Sequence, residues 1–366
     1  MINQKLNRLK EWLKETKMDC VLLNDPENIA YYSAFKSDPH ERILALVVFP
    51  FADPFLFTPS LEIKDAENSE WPFSVYGYLD NEDPWSILSK KIQEKSNQPI
   101  RFAIEKAFLT VERYEMLHHY FENSQFLNVS EKIQEMKLIK DSDEIKRMIE
   151  AGKWADKALE IGFNSIKEGI SEEEIVAEIE YQLKKQGIKE MSFETMVLTG
   201  DHAASPHGVP SSRKIKKNDM VLFDLGVVYN GYTSDVTRTA IFGKPSKEAE
   251  KIYSIVLKAH QAAIAAVKPG VTAGQLDEIA RNIITKEGYG EYFTHRLGHG
   301  LGSNVHEYPS IMKDSELIIK EGMCFSIEPG VYVPNVAGVR IEDCLHVTKN
   351  GCELFTKTPT SFQSII

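Results

Sequence analysis

Five side chains concentrate the chemistry in this sequence: Asp224, Asp235, Glu328, Glu342 and a histidine in the glycine-rich run HRLGHG (295–300). All four acids lie in strand-like apolar runs, VLFDLG, SDVTRTAIF, SIEPGV and VRIED. A lone carboxylate there is ordinarily a solvated strand residue. Four in such runs call for a common partner, because a buried charge without one is costly. Four acids and one imidazole make a donor set suited to manganese, cobalt or zinc rather than copper(I). His299 is the first candidate for the nitrogen ligand, and His295, four residues earlier, competes with it.

Two hairpins must bring these groups together. Asn230-Gly231 is a strong signal for a two-residue type I′ turn. Counting outward, Tyr229 faces Tyr232 and Gly226 faces Asp235. Asp224 then shares a face with Gly226, which makes Asp224 and Asp235 diagonal neighbours about 7–8 Å apart. In 323–347, Glu328-Pro329-Gly330 stands where the first hairpin has Asp224-Leu225-Gly226. Glu342 stands where it has Asp235. Arg340 shares a face with Glu342, and Asp343 points the other way.

An internal repeat supports this pairing. IKEGISEEEIVAEIEYQLKKQG (166–187) and VKPGVTAGQLDEIARNIITKEG (267–288) align throughout. Each has a turn glycine, a capping Ser or Thr, an amphipathic helix and a terminating glycine. Two pseudo-symmetric α+β halves follow, with their strands expected in one sheet under the helices. The remaining histidines divide by context. His207 in SPHG falls in a turn-like segment, and His306 in VHEYP, seven residues after His299, could line the same pocket. His40, His118, His119, His202, His260 and His346 read as neither ligands nor catalysts.

Residues 1–132 form a separate α/β unit and residues 133–366 the unit with the repeat. Leu6, Leu9 and Leu13 make a helical stripe, and Asp25-Pro26 starts a helix. Ile43–Phe49 and Phe55–Thr58 read as strands. Asp141-x-x-Glu144 opens the second unit with a capping box. The formal charge of -11 argues against nucleic acid as a partner. No apolar run approaches the roughly 20 residues that span a bilayer. The four cysteines show no CxxC pair, which fits a reduced, cytoplasmic protein. Cys324 and Cys344 read as small core residues.

FDLG, SDVTRT, GHG, SIEPG and VRIED resemble, in order, the ligand motifs of the metallopeptidases that include prolidase, aminopeptidase P and methionine aminopeptidase. The likeness implies a pita-bread catalytic domain behind a smaller creatinase/prolidase-type domain. It implies two divalent metal ions, manganese first with cobalt or zinc as alternatives, sharing a bridging water. Their ligands would be Asp224, Asp235, His299, Glu328 and Glu342, with Glu328 also taking the water's proton. His207 and His306 match histidines around the reacting carbonyl, and Arg340 matches an arginine beside the substrate. HRLGHGLGSNVHE resembles the proline-specific branch and departs from it at Ser303, a change expected to affect packing rather than ligation. The expected activity is hydrolysis of Xaa-Pro dipeptides by a homodimer. The charged loop 36–42 resembles one that reaches a partner's active site, giving His40 and Arg42 a role in limiting substrate length. Aminopeptidase P activity on longer peptides is the nearest alternative. A non-catalytic binding protein on the same fold is the alternative of another class.

Overall fold

The leucine stripe at positions 6, 9 and 13 is the buried face of the helix Ile2–Thr16 in a computed structural model that describes residues 2–97 and 99–365. The chain divides into two units, Met1–Met136 and Lys137–Ile366.

In the first unit, six strands form one mixed sheet: β1 (Cys20–Leu23), β2 (Ala45–Val48), β3 (Phe55–Pro59), β4 (Ser74–Tyr78), β5 (Arg101–Ile104) and β6 (Gln125–Asn128), in the order β4-β3-β2-β1-β5-β6. Side chains alternate between faces along a strand. Val21, Leu23, Leu46 and Leu56 therefore pack with the leucine stripe, while Cys20, Leu22, Phe55 and Phe57 pack with Trp85, Leu88 and Ile92 on the other side. Asp25 caps the helix Pro26–Ser33 by accepting from the Glu27 N–H at 3.0 Å.

The second unit has the repeat. Ser171 and Thr272 each cap their helix in a capping box, Glu172–Lys185 in the first half and Ala273–Lys286 in the second. Gly169, Gly187, Gly270 and Gly288 all have positive φ, as turn and terminating glycines require. Asp141 opens the long helix Ser142–Ser165 with a third capping box.

These helices cover two hydrogen-bonded sheets, not the single sheet expected from the repeat. The first contains β7 (Met196–Thr199), β8 (Met220–Leu225) and β11 (Val236–Phe242), with the small hairpin β9 (Val228–Tyr229) and β10 (Tyr232–Thr233) at its end. The second contains β12 (Gly298–Gly300), β13 (Glu307–Ile311), β14 (Cys324–Ile327), β17 (Asp343–Val347) and β18 (Cys352–Leu354). A separate pair, β15 (Gly330–Val333) with β16 (Ala337–Arg340), extends the β14–β17 hairpin, and β19 (Gln363–Ile365) joins β11. The ladder breaks where Pro329 has no N–H to give. Between the two halves, the Glu342 N–H donates to Thr237 O at 3.1 Å.

Candidate metal centre

The carboxylates sit at the interruptions of these ladders. In the first hairpin Tyr229 pairs with Tyr232, and Asn230 and Gly231 both have positive φ. Leu225 pairs with Val236 and Asp224 with Thr237, so Asp224 and Asp235 are diagonal neighbours as the turn predicted. Across Gly226 the chains are so close that a Cβ would lie 1.9 Å from Ser234 O. In the second hairpin Ile327 pairs with Asp343 and Gly330 with Arg340, which sets Glu328 level with Glu342. The two hairpins thus correspond in layout but not in register. The acids are diagonal in one and opposite in the other.

His299 enters from β12. Its N–H donates to Ser326 Oγ at 3.0 Å, and Nδ1 lies 3.2 Å from Gly300 O. A carbonyl only accepts, so Nδ1 bears a hydrogen and Nε2 is the nitrogen turned toward the carboxylates. Nε2 lies 3.2 Å from Glu328 Oε1 and 3.6 Å from Asp235 Oδ2. One ligand atom each from Asp235, His299 and Glu342 falls within a mutual 4.8 Å. His295 does not compete for this place. Its Nδ1 is 2.7 Å from Arg296 O and its Nε2 2.9 Å from the Tyr332 hydroxyl.

Three of the four carboxylates are held by one oxygen. Arg340 Nη2 donates to Asp224 Oδ2 at 2.5 Å, Thr237 Oγ1 to Glu342 Oε2 at 2.7 Å, and Ser326 Oγ to Glu328 Oε1 at 3.0 Å. Asp224 Oδ1, Asp235 Oδ1 and Glu342 Oε1 are buried with no protein donor. An orphaned buried oxygen is expensive, and three of them in a site where Asp235 and Glu342 converge on His299 fit a cation. Burial and the neighbouring carboxylates raise Asp235 and Glu342 well above the ordinary carboxylate range. Glu328 goes the other way. Burial raises it, but in the metal-free site a hydrogen bond from protonated His299 and the charges of His299, His295 and Arg340 outweigh that and hold it at about 2.

His306 stands over the site with its ring edge-on to His299, centroids 4.3 Å apart. Burial and the neighbouring His299, Arg296 and His207 push its pKa below the usual imidazole range. His207 is exposed in the loop after the short helical turn Gly200–Ala204. Arg340 is 4% exposed, and each of its three nitrogens has a protein partner: Thr237 Oγ1 at 3.1 Å, the Tyr332 hydroxyl at 2.7 Å and Asp224. In the first unit, Arg42 forks onto Asp80 at 2.8 and 3.0 Å. His40 is exposed, with positive φ and Asp38 3.6 Å away.

Ser303 is absorbed into a buried cluster. Its hydroxyl donates to Glu307 Oε1 at 3.1 Å, and Glu307 is also paired with Lys137 at 2.8 Å and Lys140 at 3.1 Å. Sequence reasoning missed Thr237, Tyr332 and Ser326. A signal was there: Thr237 is two residues from Asp235, and Ser326 and Tyr332 are two and four residues from Glu328, so strand alternation puts them on the ligand face.

A twofold-repeated α+β domain that gathers four carboxylates and one imidazole in its interior is a pita-bread metallohydrolase. Residues 146–349 match metallopeptidase family M24, and residues 5–139 match the creatinase/prolidase N-terminal domain. The chain belongs to metallopeptidase family M24. It is 48% identical to an Xaa-Pro dipeptidase of Lactobacillus helveticus over 98% of each chain. It superposes on the prolidase from Pyrococcus horikoshii OT3 with TM-score 0.90 and 36% identity, over 98% of this chain and 99% of that one. An X-Pro aminopeptidase from Thermotoga maritima is more distant, at TM-score 0.86 and 29% identity over 95% and 98%.

Proposed function

We propose that this chain is an Xaa-Pro dipeptidase, a metallopeptidase that hydrolyses the bond before a C-terminal proline. The observation that carries the reading is the convergence of Asp235, His299 and Glu342 on one point. It occurs in a chain related end to end to an Xaa-Pro dipeptidase. Asp224, Asp235, His299, Glu328 and Glu342 would hold two divalent ions. Bound there, such ions lower the pKa of water and neutralise charge growing on the carbonyl oxygen. Glu328, whose Oε1 accepts from the Ser326 hydroxyl, would also take up the water's proton. His207 and His306 donate hydrogen bonds to the substrate as the carbonyl becomes tetrahedral. The low pKa of His306 keeps it a neutral donor near neutral pH. In this reading Arg340, which matches an arginine beside the substrate in the family's pattern, lies near the substrate. With all three nitrogens engaged, its main role here is to hold Asp224.

The same reading makes the enzyme a cytoplasmic homodimer that uses manganese, with cobalt or zinc as alternatives. It rests on the family likeness and on an oxygen-rich donor set. Among the described residues no helix is long and apolar enough to cross a membrane. His40 and Arg42 limit substrate length in this reading, and residues 1–132 form the domain that carries them. The deciding experiment is turnover of a free Xaa-Pro dipeptide against an Xaa-Pro-Xaa tripeptide with each metal titrated in. Preferred cleavage of the dipeptide is expected. A preference for the tripeptide means aminopeptidase P. No metal uptake and no turnover mean a binding protein.

A further inference from the structure

The loop that carries His207 is closed at its base by a carboxylate outside the metal centre. Glu172 is the first residue of the helix Glu172–Lys185, and its side chain is fully buried. Its Oε1 accepts from the Thr199 N–H at 2.7 Å, where the chain leaves β7. Its Oε2 accepts from the Ser211 N–H and hydroxyl, both at 2.9 Å, where the chain returns. Between these points His202 Nδ1 reaches the same carboxylate at 2.9 and 3.0 Å. The backbone repeats the closure: the Glu172 N–H donates to Arg213 O, and the Glu173 N–H to Ser211 O. A helix N-terminus favours a carboxylate in this place. The loop tip is tied to itself by Ser205 N–H to His202 O and Gly208 N–H to Ser205 O, each 3.0 Å.

The repeat shows that helix formation does not require this residue. The equivalent of Glu172, 101 positions on, is Ala273, which is buried at the start of an equally well capped helix. The carboxylate appears in the half whose loop carries His207. It is satisfied almost wholly by that loop, with no bond to the carboxylate cluster.

We propose that Glu172 is a positioning residue for His207: it clasps both ends of the segment 199–213 and, through His202, fixes the turn that leads to the histidine. This rests on the role given to His207 above. Glu172 touches neither substrate nor metal and acts only through the loop.

A double-mutant cycle of Glu172→Gln and His207→Ala tests it, read by kcat and KM on an Xaa-Pro dipeptide, metal content, and amide exchange of the metal-free protein. Glu172→Gln keeps the shape but sets an amide N–H₂ against donors. Expected is a loss in kcat/KM of about tenfold to a hundredfold at unchanged metal content. Exchange should rise across 199–213 and not across the helix Ala273–Lys286. In the His207→Ala background the second substitution should cost nothing further. A multiplicative loss in the double variant, or unchanged exchange in 199–213, overturns the proposal. Full activity in His207→Ala alone would refute the role of His207, while the exchange result still judges the clasp. If Glu172→Gln does not fold, His202→Ala carries the same test. It removes one donor from a side chain 28% exposed, and the same pattern at smaller amplitude is expected.

Discussion

Arg340 Nη2 lies 2.5 Å from Asp224 Oδ2, while Oδ1 of the same carboxylate is buried without a protein partner. The arginine thus fixes one oxygen and leaves the other aimed inward. An outer partner of a ligand typically matters about 10–100-fold in metal affinity or activity. Arg340→Lys should lose activity by about that factor, because lysine cannot serve Thr237, Tyr332 and Asp224 from one planar fork. Metal titration of the variant separates two roles. Weakened metal binding supports the hold on Asp224. Intact metal binding with a raised KM would assign Arg340 to the substrate instead.

Asp235 and Glu342 should hold their protons to higher pH than ordinary carboxylates in the metal-free protein, since burial and the neighbouring carboxylates raise both. Their folded pKa values lie above the unfolded ones, so their stabilising contribution is complete below the ordinary carboxylate values of 3.8 and 4.5 and is lost as pH rises. The metal-free protein should therefore lose stability with rising pH, and metal should restore it. Binding should also release protons. Calorimetry in two buffers of different ionisation enthalpy measures that release. Identical heats in both buffers would count against protonated ligands.

Glu307 predicts the opposite slope. Burial raises its pKa, but Lys140 and Lys137 outweigh that and hold it at about 2 against an ordinary 4.5. The folded value is depressed, so the contribution is present above pH 4.5 and disappears as pH falls toward about 2. A shift of that size corresponds to roughly 3 kcal/mol. Glu307→Gln should lower stability at neutral pH and flatten its decline in acid, as followed by denaturant unfolding. An unchanged acid slope would exclude Glu307 as its source.

The hairpin around Asn230-Gly231 was legible to the register, because a two-residue turn leaves no freedom in the pairing of Leu225 with Val236. The second hairpin was legible only in outline. Its turn is longer, and the ladder is broken at Pro329 and at Ile341-Glu342, so counting from the first half misplaces Glu328 relative to Glu342. The break also separates the β15–β16 pair from the sheet that holds β14 and β17. Glu172 had no sequence signal, since an acid at a helix start reads as ordinary capping chemistry. Its role depends on where Thr199, His202 and Ser211 return in space.

The 36–42 loop offers a test of substrate length. Arg42 is anchored on Asp80, whose pKa is lowered chiefly by the Arg42 hydrogen bond. His40 is the exposed group, held by its left-handed backbone and near Asp38. Removing the anchor should free the loop, and removing His40 should remove the group it presents. Arg42→Ala and His40→Ala should each raise the rate on an Xaa-Pro-Xaa tripeptide relative to the dipeptide. The larger effect is expected from Arg42→Ala, because it releases the whole segment. The ion pair is solvent-exposed and screened, so thermal stability should barely change. Steady-state kinetics on both substrates reads the outcome, and an unchanged tripeptide-to-dipeptide ratio in both variants would remove His40 and Arg42 from the substrate-length reading.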